Sequence, residues 1–151
     1  MPSSGEEIQS EFFVAREDAT AVIAAIAPLA GSIQPLLLVC ELRTVAQDSL
    51  WLSPQYRRRS TGIHFTWRRR QPEAQRLVAE IEARLAPFAP RPHWAKVFTA
   101  RAAALAPRYE RLSDFAALRD VFGSSRSVQQ RLASLPSPRA RGGIVKPRLP
   151  Y

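Results

Sequence analysis

The chain alternates small or polar residues with large apolar ones over seven positions, Thr61-Gly62-Ile63-His64-Phe65-Thr66-Trp67. Successive side chains of a β-strand point to opposite faces of its sheet, so Ile63, Phe65 and Trp67 share one face. His64 and Thr66 share the other face. The pattern predicts a strand with one apolar face for the core and one face that carries polar groups.

The segments on either side of this strand supply the other elements of a small domain. Strands are indicated by runs of β-branched and aromatic residues, and helices by apolar residues at helical spacing. The helix before Gly31 is expected to end there, and Pro72 lies near a first turn, where its missing N–H costs least. The predicted elements, in chain order, are a strand at 8–14, a helix at 17–29, strands at 36–43 and 61–67, a helix at 72–85, a strand at 93–98 and a helix at 107–121, with a polar loop at 44–60.

The order of elements is β-α-β-β-α-β followed by a C-terminal helix, which is the ferredoxin-like arrangement. We therefore expect an α+β fold in which helices cover one face of an antiparallel sheet and leave the other face available. The domain is expected to span residues 1–133. Residues 134–151 contain four prolines and two glycines with little to bury, and predict a disordered basic tail.

Composition narrows the class of protein. A length of 151 residues suits one domain. No run approaches the roughly 20 apolar residues of a membrane span, and the first residues lack the basic and apolar regions of a secretory signal. With Cys40 as the single cysteine, we expect a cytoplasmic protein without disulfides. The net charge of +9 comes with only two lysines among 22 basic residues, an Arg-rich composition typical of GC-rich genomes, and we expect no nucleic-acid partner.

Polar side chains of several strands are expected to meet on the sheet face that the helices leave free. Glu41 and Arg43 project together from the second strand, beside His64 and Thr66 of the third, and Lys96 belongs to the fourth strand. The opposite face of the second strand is expected in the core, through Leu38, Cys40 and Leu42.

Each of these polar residues has an ordinary structural interpretation by itself. Charges on a sheet face are commonly solvated, a single histidine is more often structural than catalytic, and an edge-strand lysine commonly blocks aggregation. Their convergence favours a binding site, because an acid, two cations, an imidazole and a hydroxyl supply the donors and acceptors that a polyhydroxylated ligand needs.

Several segments of the chain, in the same order, resemble the C-terminal domain of the alditol oxidases. That family belongs with xylitol oxidase and with the D-arabinono-1,4-lactone and L-gulonolactone oxidases to the vanillyl-alcohol-oxidase flavoprotein superfamily. The resemblance covers roughly residues 3–133. The segments that carry it are Ser3-Ser4-Gly5-Glu6-Glu7-Ile8-Gln9-Ser10-Glu11-Phe12-Phe13-Val14, Glu41-Leu42-Arg43-Thr44-Val45, Trp51-Leu52-Ser53-Pro54, His64-Phe65-Thr66-Trp67 and Arg91-Pro92-His93-Trp94-Ala95-Lys96-Val97-Phe98.

The resemblance implies an FAD-dependent oxidase that acts on the CH–OH group of an alditol or a sugar lactone. A hydride would pass to flavin N5, and O2 would reoxidise the flavin and yield H2O2. The resemblance further implies that Arg43 and Lys96 bind the hydroxyl being oxidised and stabilise its developing negative charge. His64 is then the candidate proton acceptor, and Glu41 and Thr66 would bind further hydroxyls.

The family's flavin-binding domain precedes the matching region, and residues 1–133 contain no Gly-rich phosphate loop. The resemblance therefore implies a substrate-binding portion whose FAD is held by a domain missing from this chain, either inactive alone or docked to a separate flavin-binding subunit. Two other hypotheses stay open. One is a destabilised fragment. The other is a ferredoxin-like basic module that binds RNA or protein without catalysis, although RNA modules of this shape stack bases on sheet-face aromatics, and Phe65 and Trp67 are expected to face the helices.

Overall fold

The computed structural model describes residues 7–122 and contains a four-stranded antiparallel sheet. Neighbouring strands pair in the order β2-β3-β1-β4, as a ferredoxin-like β-α-β-β-α-β chain requires. The predicted α+β class is therefore confirmed, whereas the predicted domain end at residue 133 and the tail at 134–151 lie outside the described residues. The strands are β1 (Ile8–Ala15), β2 (Leu37–Val45), β3 (Ser60–Trp67) and β4 (Arg91–Pro92).

The first and last predicted helices are interrupted, whereas the predicted helix at 72–85 forms as one continuous helix. The first predicted helix was expected to end before Gly31, and that is wrong: helical turns continue through Gly31 to Ile33. The last predicted helix is interrupted, because Pro107 lies in a 3-10 turn and a new helix begins only at Leu112. The α-helices are α1 (Ala19–Ile26), α2 (Ala30–Ile33), α3 (Gln71–Leu85), α4 (Ala102–Leu105) and α5 (Leu112–Phe122).

One face of the sheet forms the core against α1 and α3. Phe65 and Trp67 of β3 are 2% and 0% exposed, and their rings stack 5.0 Å apart. The indole N–H of Trp67 donates a hydrogen bond to Ser10 Oγ of β1 at 2.9 Å, so the polar atom of the largest core residue is satisfied. The α3 side of this core consists of Ala74, Leu77, Val78, Ile81 and Leu85.

The prediction that Leu38, Cys40 and Leu42 belong to the core is wrong. Leu38 is 48% exposed, Leu42 is 55% exposed, and Cys40 is also exposed. Their strand, β2, is at the edge of the sheet, while α1 and α3 contact β1, an inner strand. The pairing of β2 with β3 also shifts register between Leu37 and Val39, which leaves Leu38 unpaired as a bulge. Alternation shows which residues share a face, but not whether another layer covers it.

The prediction of a strand at residues 93–98 is also wrong, and the difference determines where Lys96 lies. Only Arg91 and Pro92 form β4. The backbone N–H of His93 still donates to Glu11 O at 2.9 Å, and that of Val97 donates to Gln9 O at 2.8 Å. Between them the N–H of Lys96 donates to His93 O at 3.1 Å and closes a turn. The chain therefore leaves the edge of β1, turns and returns to it.

A buried arginine fastens the long connection between β2 and β3 to the rest of the domain. Arg91 is 6% exposed, and its guanidinium donates to the carbonyls of Pro54 at 3.2 Å, Tyr56 at 3.0 Å and Arg108 at 2.8 Å. Burial lowers the pKa of Arg91. The Arg91 guanidinium also lies over the Tyr109 ring, 5.3 Å from its centroid. One side chain thus joins three segments that are distant in sequence.

Candidate functional site

A row of polar side chains, the polar row, crosses three strands on the sheet face opposite α1 and α3. Its members are Glu11, Glu41, Arg43, His64, Thr66 and Lys96. The strand register places Glu41 of β2 directly opposite His64 of β3, and His64 directly opposite Glu11 of β1. Residues directly opposite each other in antiparallel strands have side chains on the same face. Arg43 lies opposite Gly62, two positions along the same face. The structure thus brings together the predicted residues of β2 and β3, and adds Glu11.

His64 is the buried centre of this row, although the sequence led us to expect an available face. It is 6% exposed. Its Nδ1 lies 3.3 Å from Glu41 Oε2, but the two groups are not aligned for a hydrogen bond, and Nδ1 has no hydrogen-bond partner among residues 7–122. Its Nε2 is 3.4 Å from Thr66 Oγ1. A buried ring nitrogen without a partner is unusual unless another group completes its hydrogen bond.

The surroundings of His64 favour the neutral imidazole. Its pKa is lowered, first by burial and next by the positive charge of Lys96. The carboxylates of Glu11 and Glu41 act in the opposite direction, and Arg43 acts with Lys96. Because the usual histidine pKa is already below 7, His64 is neutral at neutral pH and one ring nitrogen is free to accept a proton.

Glu41 and Arg43 form the open end of the row. The Arg43 guanidinium donates a hydrogen bond to Glu41 Oε2, and its Nη1 also lies 3.6 Å from Glu11 Oε1. The side chains of Arg43 and Glu41 are each 46% exposed. A half-exposed ion pair of this kind contributes little to folding stability, typically about 0–1 kcal/mol. The pair can therefore exchange its mutual contacts for those of a ligand at small cost.

Lys96 reaches the same row from the turn after β4. Its Nζ donates a hydrogen bond to Glu11 Oε2 at 2.6 Å. The Lys96 side chain is 15% exposed and Glu11 is 3% exposed, so this ion pair is largely removed from water. The contact places Lys96 with the other predicted site residues, even though the strand predicted to carry it does not form.

Glu11 is the one residue of the row that the sequence interpretation left out of the site. The available signal was a single acid within an otherwise apolar run, Glu11-Phe12-Phe13-Val14. Its neighbour Phe12 is 1% exposed on the opposite face, so strand alternation assigns Glu11 to the polar face. Finding it also requires the strand order, because β1 becomes the neighbour of β3 only in the folded sheet.

The row suits a hydroxylated ligand better than a metal ion or a nucleic acid. Within residues 7–122 there is no group of three or more His, Cys, Asp or Glu side chains placed to hold a metal. Phe65 and Trp67 are in the core, and Phe13 on the polar face is only 6% exposed, so these rings are not free to stack on bases. The two carboxylates balance the two cations, and together with His64 and Thr66 they offer both acceptors and donors. No helix in the described part of the chain is long and apolar enough to cross a membrane.

Comparison with known proteins identifies the family to which the chain belongs. The family model of D-arabinono-1,4-lactone oxidase matches residues 6–128. An alditol oxidase from Streptomyces sp. (strain IKD472 / FERM P-14339) is 45% identical over 117 residues, which cover 78% of this chain and 28% of the relative. Both of these matches are to oxidases. The chain belongs to the D-arabinono-1,4-lactone oxidase family, and it spans less than a third of the length of this relative.

Proposed function

We propose that the polar row is the substrate-binding side of an oxidase active site that acts on a CH–OH group of alditols or sugar lactones. The observation that carries the proposal is that the His64 imidazole is buried and that its Nδ1 has no hydrogen-bond partner among residues 7–122. Burial also lowers its pKa, which favours the neutral form. Two cations, Arg43 and Lys96, accompany it in the same row. A substrate hydroxyl in this position would find both a proton acceptor and positive charge.

Each side chain has a role that follows from its chemistry. Arg43 and Lys96 bind the hydroxyl being oxidised and stabilise the negative charge that develops on its oxygen as the proton leaves. His64 accepts that proton, which requires the neutral form that its lowered pKa favours. Glu41 and Thr66 bind further hydroxyls of the polyol. Glu41 is half-exposed at the open end of the row, which suits a group that meets a chain of hydroxyls.

Oxidation of the alcohol also requires an acceptor for the hydride, and in this proposal it is FAD, with O2 as the final oxidant and H2O2 as the product. The described residues do not fit a flavin dinucleotide. Their only glycines are Gly31 and Gly62, one in a short helix and one in β3, so residues 7–122 contain no Gly-rich phosphate loop. The flavin would therefore be held by a domain outside these residues or by a separate flavin-binding subunit.

The extent of the family match supports treating residues 1–133 as the substrate-binding unit, because the match runs from residue 6 to residue 128. Residues 134–151 would then be an appended basic tail. By itself this unit would bind substrate without oxidising it, since none of its side chains accepts a hydride. A nucleic-acid module remains the weaker candidate, because Phe13, the aromatic residue that β1–β3 place on the polar face, is only 6% exposed.

A chimaeric enzyme tests the proposal. Residues 6–128 of this chain replace the matching segment of the Streptomyces alditol oxidase, and oxidation of xylitol is followed as H2O2 release and anaerobic flavin reduction. We expect an active enzyme in which His64→Ala slows flavin reduction about 100-fold or more, as loss of a general base does, with a much smaller effect on xylitol affinity. A change in affinity alone would exclude His64 as the base. A chimaera that folds, binds FAD and does not oxidise polyols or lactones would contradict the proposed function.

A further inference from the structure

The buried Glu11 carboxylate contacts both cations of the site, Lys96 and Arg43. Its Oε2 accepts the hydrogen bond of Lys96 Nζ at 2.6 Å, and its Oε1 lies 3.6 Å from Arg43 Nη1. The carboxylate is 3% exposed, so water competes little for either contact. Arg43 is on β2, Glu11 on β1 and Lys96 in the turn after β4, and the strand between them, β3, carries His64. One buried acid thus connects residues from both sides of the imidazole.

Gly62 leaves the space that the Glu11 carboxylate occupies. A Cβ at position 62 would be 3.2 Å from Glu11 Oε1 and 2.9 Å from the Phe13 ring. Gly62 lies directly opposite Arg43 on β2 and opposite Phe13 on β1. The absence of a side chain at this one position therefore lets the carboxylate turn towards Arg43 while it also holds Lys96.

We infer that Glu11 is the positioning residue of this site, which fixes Lys96 and Arg43 at the spacing needed to bind one substrate hydroxyl. The inference rests on the proposed function, and it assigns Glu11 no contact with the substrate. Holding a lysine side chain in one place costs conformational entropy. The buried ion pair with Glu11 orders Lys96 before the substrate binds, so this cost does not reduce the binding affinity. Without Glu11, two cations beside a neutral imidazole would repel each other and turn outwards.

A double-mutant cycle in the full 151-residue chain tests this role. The affinity for xylitol is measured by NMR titration in the wild type, Glu11→Gln, Lys96→Met and the double variant. We expect each single change to weaken binding about tenfold, roughly the effect of losing one charge-assisted hydrogen bond. Because Glu11→Gln already releases Lys96 from its position, adding Lys96→Met to that variant should weaken binding little further. Glu80→Gln, an exposed acid on α3, is the matched control and should leave the affinity unchanged.

The outcomes separate this inference from the proposed function. If Lys96→Met leaves xylitol affinity unchanged, the proposed role of Lys96 itself fails. If Lys96→Met weakens binding but Glu11→Gln does not, or if the two effects multiply in the double variant, the positioning role alone is overturned.

If Glu11→Gln folds poorly, NMR of the Lys96 ammonium group tests the inference instead. The chain has only two lysines, Lys96 and Lys146, so their ammonium signals in 15N spectra are assigned by loss of one signal in Lys96→Met. A Lys96 ammonium held by a buried carboxylate exchanges slowly with water. We expect this protected signal in the wild type and its loss in Glu11→Asp, whose shorter side chain retracts from Lys96 but keeps the charge. A protected signal that persists in Glu11→Asp contradicts the inference.

Discussion

Glu41 and His64 face each other directly across β2 and β3, with Oε2 of the acid 3.3 Å from Nδ1 of the imidazole. Glu41 is half-exposed and His64 is buried, so the polar row changes from solvent-exposed to buried between these two residues. The contact is not a hydrogen bond, and Nδ1 keeps its capacity for another partner. In the proposed function that partner is the substrate hydroxyl whose proton His64 accepts, while Glu41 binds a further hydroxyl.

The first prediction concerns the dependence of folding stability on pH. The pKa of His64 is lowered in the folded state, so between that pKa and the unfolded value of about 6.5 the unfolded chain binds more protons. Stability should therefore rise with pH through this window and fall as the solution is acidified below about 6.5. Urea denaturation at several pH values measures the slope. His64→Gln should flatten it, and an equally steep slope in that variant would show that His64 is not the responsible group.

The second prediction is a pair of opposite shifts in the pKa of His64. Lys96→Met removes a positive charge that lowers this pKa, and should raise it. Glu41→Gln removes a negative charge that raises it, and should lower it further. The other charged groups facing His64, which are Glu11 and Arg43, stay in place in both variants. The chain has only two histidines, so NMR titration resolves His64 readily. Shifts of the same sign in both variants would mean that the charges of the row do not control the imidazole.

The third prediction concerns Arg91, which joins three segments through carbonyl hydrogen bonds. Arg91→Met keeps much of the side-chain volume but leaves the carbonyls of Pro54, Tyr56 and Arg108 without this donor. We expect a loss of about 2–4 kcal/mol in the free energy of unfolding, measured with urea, because unpaired buried polar groups cost about 1–3 kcal/mol each. The exposed Arg84 on α3 provides the control, and Arg84→Met should change stability by less than about 0.5 kcal/mol. Equal effects of the two changes would contradict the structural role of Arg91.

The fourth prediction compares two apolar residues that pair across β2 and β3, Leu42 and Ile63. Leu42 is 55% exposed and Ile63 is 3% exposed. Ile63→Ala should destabilise the chain by about 2–5 kcal/mol, since it leaves a cavity in the core. Leu42→Ala should cost less than about 1 kcal/mol, because much of the side chain is already in water. A large loss for Leu42→Ala would mean that this face of β2 is covered in solution.

The sequence was sufficient where a rule acts locally along the chain. The alternation at Ile63, Phe65 and Trp67 correctly assigned the core face of β3, and the order of elements gave the α+β topology. It was insufficient where the burial of a residue depends on which elements pack against it in the folded domain. Leu42 has the same periodicity as a core residue, but its strand is at the edge of the sheet, where the helix layer does not bury it.

The candidate site shows the same division between local and tertiary information. The grouping of Glu41, Arg43, His64 and Thr66 on one face follows from alternation on two strands, and the register agrees with it. Glu11 could be assigned to the row only with the strand order known. Lys96 reaches the row by way of a turn, because the backbone hydrogen bonds of His93 and Val97 hold the two ends of that turn against β1.

In the proposed function the face around His64 binds a polyol, and ligand titration of the full chain is the test of that claim. Xylitol is added to the 15N-labelled 151-residue chain, and amide and imidazole signals are followed by NMR. We predict saturable shifts at Glu41, Arg43, His64, Thr66 and Lys96, with signals of the outer face of α3 unchanged. A polyol that produces no saturable shift in the row, or shifts only residues outside it, would contradict the claim.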